Sequence, residues 1–404
     1  MSANHAFAVD VEVIDQVESL GETFDVDIEI TSEANRDIEI DVSSIVSWIE
    51  VDSDSELELA PGETSRIHLH VTCPDTPMVR HSWLLLESRS KSLALPIRIV
   101  CAAGDDDVDP EDDLLRWEPP LLEDASIVRV ESDSGSAIVR LDRDEDYIVL
   151  LPDHDPLEEG LGIIGGHNVV VMAGEVEIPW QGDDPSIASR RGLIVRDSTG
   201  PVHIEGVLFH GEDISEGIQL STPDAIIQLL NVGVRGLHAR DQDGFTDNHP
   251  DVIQTYGNVA ELRVDGLTGT TDYQGLFLSA SLSDDPHGPV TLRRVNIRGE
   301  PTARYLFWVS PRSSGGNTVL EDVWLEVPDE RRGGIGRAVW PDSGADSDNR
   351  PVIDEDDDVV TVVWPESMSP RIIGKIHSGR PPGGDFVPSD TIGTGYESPG
   401  YELP

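Results

Sequence analysis

An all-β chain with two successive domains is the fold class this sequence predicts, on three observations. Apolar and polar residues alternate with a period of two through the first hundred positions. Blocks of short apolar strands then recur, separated by turns of Gly, Asn, Asp and Pro. Between those strands no segment carries the spacing of an amphipathic helix, which argues against a layered βαβ sheet.

Taken in order, residues 6–102 contain FAVDVEV, TFDVDIEI, DIEIDV, RIHLHV and ALPIRIV, with the turn signals LAPGETS and CPDTP between them. About seven short strands in such a span predict a two-sheet sandwich of immunoglobulin type over residues 1–103. Cys73 and Cys101 each follow an apolar strand, so they either pair or sit as two small buried residues, and burial without pairing is the favoured reading. Residues 104–124 form an acidic linker, GDDDVDPEDD, followed by DLLRWEPP, which reads as a helical turn capping the next domain. From 125 to 365 similar blocks recur, among them 192-GLIVRDSTGPVHIEGVLFHG, 217-GIQLSTPDAIIQLLNVGVRG and 252-VIQTYGNVAELRVDGLTGT. The repeat is irregular because turns change length while strands do not. That suits a coil of stacked parallel strands, a right-handed parallel β-helix of about eight coils. Residues 366–404 are rich in Pro and Gly, and are expected to pack as an extended tail over the last coil or onto a neighbouring subunit.

Acids outnumber Lys plus Arg by 78 to 28, a net charge of −50, and only Lys91 and Lys375 are lysines. Self-repulsion on that scale is relieved in molar salt, where the Debye length falls to about 3 Å. The composition points to an extreme halophile, a haloarchaeon or its virus, and to a fold that needs salt. So negative a surface excludes general binding to nucleic acid. No window approaches the roughly 18 apolar residues of a membrane span, and the N-terminus shows neither a signal core nor a twin arginine. The expectation is synthesis in the host cytoplasm without a signal peptide.

DYIVLLPD at 146 and IIGGHNVVVMAGEVEIP at 163 resemble the opening coils of pectate-lyase-like β-helices, and NHPDVIQTYG at 248 is similar to a segment recurring in β-helix proteins of tailed viruses and polysaccharide-active enzymes. The resemblance covers roughly 125–365. It implies the β-helix fold and a surface protein of a tailed haloarchaeal virus, of turret, spike or fibre type. Such a protein would sit on the virion surface as a trimer or pentamer beside other virion proteins and meet host surface glycans or the surface layer. The alternative is a polysaccharide-active lyase or hydrolase on a virion or cell surface.

The stretch 241-DQDGFTDNHPDVIQTYGN-258 carries the candidate chemistry. Aligning successive coils stacks Glu216, Asp251 and Gln274 in one ladder and Gln219, Gln254, Phe277 and Trp308 in a second, on strands about 4.8 Å apart. Amides and aromatic faces suit sugar hydroxyls and C–H faces, so Gln219, Gln254, Tyr256, Gln274, Phe277 and Trp308 are the candidate glycan contacts. The competing account is that such ladders only stabilise the coil. Glu216 and Asp251, with His249 as proton carrier, are catalytic candidates. Against them stand the abundance of acids, the absence of a Lys or Arg from these strand positions, and the poor shielding of a shallow strip, so recognition without chemistry is expected. Asp241, Asp243 and Asp247 have the spacing of a calcium loop but lack its later Glu; a Ca2+ or Mg2+ ion is the candidate ligand, and a solvated acidic loop the alternative.

Overall fold

In the computed structural model nine strands between Phe7 and Ala102 pair as two sheets. The structure describes residues 7–10, 14–52, 56–102, 114–131, 137–180, 190–239, 249–279, 287–310, 315–328, 333–341, 344–346, 348–356 and 359–403. The chain is all-β: among these residues there is no α-helix, and a 3₁₀ turn spans Gly334–Arg337. It divides into two compact units, 1–128 with 146–148 and 397–404, and 129–145 with 149–396.

In the first unit, the strands Phe7–Val9, Thr23–Ser32, Thr64–Thr72 and Ile49–Val51 form one antiparallel sheet. Ile14–Ser19, Ser92–Ala102, Met78–Glu87, Ile38–Ser44 and Glu56–Leu59 form the other, whose first pair is parallel. The alternation seen in the sequence becomes inward Ile28, Ile30, Ile67 and Leu69 from one sheet against Ile40, Leu84, Leu86, Ile97 and Ile99 from the other, all within one buried cluster. Cys73 and Cys101 lie in that cluster and are disulfide-bonded, with Cα atoms 5.7 Å apart, correcting the expectation that they sit unpaired. The helical turn expected from DLLRWEPP is absent. Leu115 instead bridges Tyr401 in extended conformation, because burying Leu114, Leu115 and Leu122 outweighs a weak local preference interrupted by two prolines.

The second unit is built of short parallel strands in three stacks. The first runs through Ile138–Arg140, Leu161–Ile164, Arg191–Arg196, the start of Glu216–Leu237, the start of Asp251–Thr271, Gln274–Leu278, Phe307–Val309 and Val339–Trp340. The second and third stacks share chain segments but are separated by a corner residue with φ between 46° and 79° at Ala173, Gly206, Asn231, Gly266, Arg294 and Asp322. A left-handed residue lets the strand bend while the next strand keeps its pairing. It costs a non-glycine roughly 1 kcal/mol, which Arg294 offsets by donating to buried Asp265 at 2.8 Å.

Stacking does not stop near 365. Ile372–Ser378 pairs in parallel with Thr318–Glu326, and the hairpin Val352–Asp356/Val359–Val363 pairs antiparallel with its other edge. Its flanking Pro and Gly residues disguise this strand as tail. Residues 385–396 do not lie over the last coil. They run back along the side of the stack: Asn296 donates to Asp385, the Val387 amide to Thr268, the Gly393 amide to the Gly206 carbonyl and the Gly174 amide to the Gly393 carbonyl. Val387 and Ile392 pack with Leu208. The Tyr396 hydroxyl donates to Glu205 at 2.8 Å and accepts from Asn231 at 3.0 Å, over a fully buried His203 held between Gln228 and Glu205.

Gly206 is where this strap is tightest. A Cβ there would lie 2.0 Å from the Tyr396 ring, on a residue with φ of +69°. Gly206→Ala should therefore cost roughly 2–3 kcal/mol in denaturant unfolding. In a Tyr396→Ala background the cost should fall to the backbone penalty of about 1 kcal/mol. An equal cost in both backgrounds would show that the strap is not held there.

Candidate functional site

The pairing of the first stack decides which side chains meet. Gln219 pairs with Gln254, Gln254 with Phe277, Phe277 with Trp308 and Trp308 with Trp340, while Asp251 pairs with Gln274. Neighbouring rungs lie about 4.8 Å apart, so one continuous row changes along its length from amides to aromatic rings. Phe277 and Trp308 are 5.4 Å apart between ring centroids, and Trp308 stacks on Trp340 at 5.2 Å and 27°. Tyr305 meets the Trp308 ring edge-on at 4.7 Å. The aromatic end is half-buried, whereas Gln219, Gln254 and Gln274 are at most 5% exposed. Tyr256 lies apart from this row: the register slips between Thr255 and Val259, so it has no rung partner.

Burial is where the strip departs most from expectation. Glu216 is 5% exposed and Asp251 fully enclosed, so this is not a shallow surface. Both Asp251 carboxyl oxygens lack a hydrogen-bond partner among the described residues. Burial, and then the nearby Glu216, push its carboxyl well above the usual aspartate range. Burial also raises Glu216, but Arg191, His249 and Arg196 pull it back, and the Arg191 Nε donates to its Oε2 at 2.5 Å. Two neighbouring acids are thus held differently: one unpaired and enclosed, the other in an ion pair. That separates Asp251 from the other acids among the described residues, which composition alone could not do. His249 stacks parallel to Tyr273 at 5.8 Å, and Arg304 lies over the Tyr273 ring at 5.4 Å.

Basic groups are present after all. The rung preceding Glu216 brings Arg191 opposite Glu216 and Arg196 opposite Ser221, and the Arg196 Nη2 donates to the Gln219 Oε1 at 3.2 Å. Setting 191-RGLIVR beneath 216-EGIQLS exposes both arginines, whereas a ladder that begins at Glu216 starts one coil too late to include them. Trp340 and Tyr305 are further members of the aromatic cluster that the sequence ladder does not include. Asp241, Asp243 and Asp247 lie outside the described residues, and among the described residues no group of three His, Cys, Asp or Glu side chains could hold a metal.

Chemically, the row offers unmade hydrogen bonds of opposite sense. The Gln219 Nε2 is a buried donor and the Gln254 Oε1 a buried acceptor, each without a partner among the described residues. Leaving such atoms unmatched costs about 1–3 kcal/mol each. A hydroxyl, which donates and accepts at once, would satisfy both.

No protein-family model matches the chain, and no curated protein matches it. Partial likenesses to solved structures exist. A PapD-like domain of human CEP192 is similar at 9% identity, over 26% of this chain and 91% of that one, with a TM-score of 0.23. A family 123 glycoside hydrolase from Clostridium perfringens is similar at 9% identity over 23% of each chain, TM-score 0.21. WR4, a C. elegans MSP family member, is similar at 11% identity over 24% of this chain and 98% of its own, TM-score 0.19. Scores this low carry no argument about fold family or activity.

Proposed function

We propose that this protein is a glycan-contacting surface protein, a structural component of the virion of a tailed haloarchaeal virus, and that the row from Gln219 to Trp340 is its sugar-contacting strip. In this reading the first unit is an immunoglobulin-like sandwich, supported by the disulfide joining Cys73, just after a strand of one sheet, to Cys101 in the other. The second unit is a right-handed parallel β-helix of about eight coils, supported by the three parallel stacks and their repeated left-handed corners. The observation that carries the function is the graded row itself: buried amides with unmade hydrogen bonds of complementary sense, continuing into stacked Phe277, Trp308 and Trp340. Sugars present hydroxyl edges and apolar C–H faces, and this row meets both. Virion placement rests on the acidic composition and on the β-helix resemblance, and homo-oligomeric assembly as a trimer or pentamer belongs to it.

Trp308→Ala should weaken adsorption to host cells or their released glycans by roughly 1–3 kcal/mol, the range of a hot-spot contact, with thermal unfolding little changed. Gln254→Ala should do the same through lost hydrogen bonding. Wild-type adsorption by both variants would remove the strip from the function.

A second reading, a polysaccharide-active enzyme, draws on one observation, the enclosed Asp251 beside the ion-paired Glu216. Carboxyls held in unlike states are what acid–base cleavage of a glycoside needs. Release of reducing ends by wild type, lost in Asp251→Asn, would select it.

A further inference from the structure

The first unit carries two histidines on its surface that the glycan reading does not use. In the run RIHLHV, Ile67, Leu69 and Val71 are fully buried in the core. Alternation along the strand therefore turns His68 and His70 to the opposite face, where their side chains are 50% and 38% exposed. Register sets Asp27 across from His68 and Asp25 across from His70, both on Thr23–Ser32. The His68 Nδ1 lies 2.5 Å from the Asp27 Oδ1, and the His70 Nδ1 2.5 Å from the Asp25 Oδ1. A carboxylate can only accept, so the neutral form of each ring keeps its proton on Nδ1 and its lone pair on Nε2. Both rings are tied on one side by acids of the same neighbouring strand, which leaves the two Nε2 atoms on the other side. There Asp52 follows the strand Ile49–Val51, its amide bonded to the His68 carbonyl at 2.9 Å. Its Oδ2 stands 3.6 Å from the His70 Nε2, beyond hydrogen-bond reach.

We propose that His68 and His70 form a surface chelating site for a divalent late transition metal of the zinc or copper class. The two Nε2 atoms bind the ion, water completes its shell, and Asp52 accepts from that water. The arrangement around each ring supports this. Metal-ligating histidines almost always donate their other N–H to a carboxylate or carbonyl, which fixes the tautomer and raises ligand basicity, and here both do so. The spacing supports it as well. Two residues along a strand separate side chains by roughly 6.8 Å, close enough for two imidazoles to lean toward one ion at about 2.0–2.1 Å from each nitrogen. Ile67, Leu69 and Val71, locked in the core, hold the backbone between them. Two protein ligands rather than three leave the ion exchangeable, in keeping with the lack of any converging group of three among the described residues. Ligand type sets the selectivity: the acids spread over this chain suit magnesium and calcium, whereas paired imidazoles suit zinc, nickel and copper. The site lies within the first unit and is independent of whether the second binds a glycan.

Titration calorimetry of the full chain tests this, with zinc sulfate added in molar sodium chloride and magnesium in large excess to occupy the acidic surface. Wild type should bind one zinc ion per chain that magnesium does not displace. His68→Gln and His70→Gln should each weaken binding at least tenfold, and the double variant should remove it. Asp27→Asn keeps an acceptor but loses the charge, and should weaken zinc by about tenfold or more, as loss of an orienting partner does. Copper should bind more tightly than zinc, and its paramagnetic resonance spectrum should show two coupled imidazole nitrogens, reduced to one in either histidine variant. All these side chains point out of the core, so thermal unfolding of the variants without metal should match wild type. Zinc that magnesium displaces, or zinc bound equally by wild type and the double histidine variant, would overturn the site and leave this face a network of ion pairs.

Discussion

Replacing both Cys73 and Cys101 with alanine should destabilise the first unit by about 3.5 kcal/mol, the loop-closure value for a bridge across 28 residues. In a unit of this size that lowers the thermal midpoint by on the order of 15 °C. The bond closes between the two sheets at sites that are 1% and 0% exposed, so the loss is one of sheet-to-sheet constraint and core volume together. The check is thermal unfolding in molar salt, monitored by near-ultraviolet circular dichroism. A double variant that melts with the wild type would show the bridge to be redundant with the Ile and Leu packing around it. Reductant should act slowly on native protein, because the sulfurs are reached only when the sheets part.

Asp251→Asn is expected to change how stability depends on pH more than any other single substitution in the strip. Burial, and then Glu216, raise the Asp251 carboxyl well above its unfolded value. The native state therefore holds a proton that the unfolded chain has released. The stability this proton confers is fully present below the unfolded aspartate value near pH 4, and is lost as pH rises through the folded value. Each pH unit across that window costs wild type about 1.4 kcal/mol. Asparagine does not titrate, so the variant should gain on wild type steadily with rising pH, apart from the smaller slope left by Glu216. Denaturant titrations at pH 5, 6, 7 and 8 measure it. Parallel stability curves for the two proteins would mean that Asp251 is ionised in the fold and matched by groups outside the described residues.

How much of this can be read from sequence differs from residue to residue. The rungs Glu216–Gln219, Asp251–Gln254, Gln274–Phe277 and Tyr305–Trp308 align because each begins with a polar residue and has an apolar one at its third position, and strand pairing keeps that register while adding Arg191 before Glu216 and Trp340 after Trp308. Ile372–Ser378 is hidden by its Pro-rich surroundings, which outweigh the short apolar run itself. The pairing of Cys73 with Cys101 depends on two sheets facing each other, which a spacing of 28 residues does not encode. The enclosure of Asp251 escapes the sequence for a related reason: alternation says which face a side chain takes, but what covers that face is decided elsewhere in the chain. The left-handed corners at Asn231, Arg294 and Asp322 are invisible where the residue is not glycine, although their place between paired stacks repeats along the stacks.

The strap formed by residues 385–396 also bears on the order in which the second unit can be made. A stack of rungs is a chain of neighbours, able to start anywhere and to unravel from either end. The strap breaks that independence, since Tyr396 binds Glu205 across 191 positions and the Val387 amide binds Thr268 across 119. On a ribosome, the paired strands carrying His203 and Gln228 would be complete long before the segment that covers them emerges. Nascent protein should therefore pass through a stage in which the stack exists with its side uncovered, open to proteases and to pairing with other chains. Emergence of residues 385–396 closes it: the last stretch of the second unit to be synthesised is the one that locks strands made nearly two hundred residues earlier.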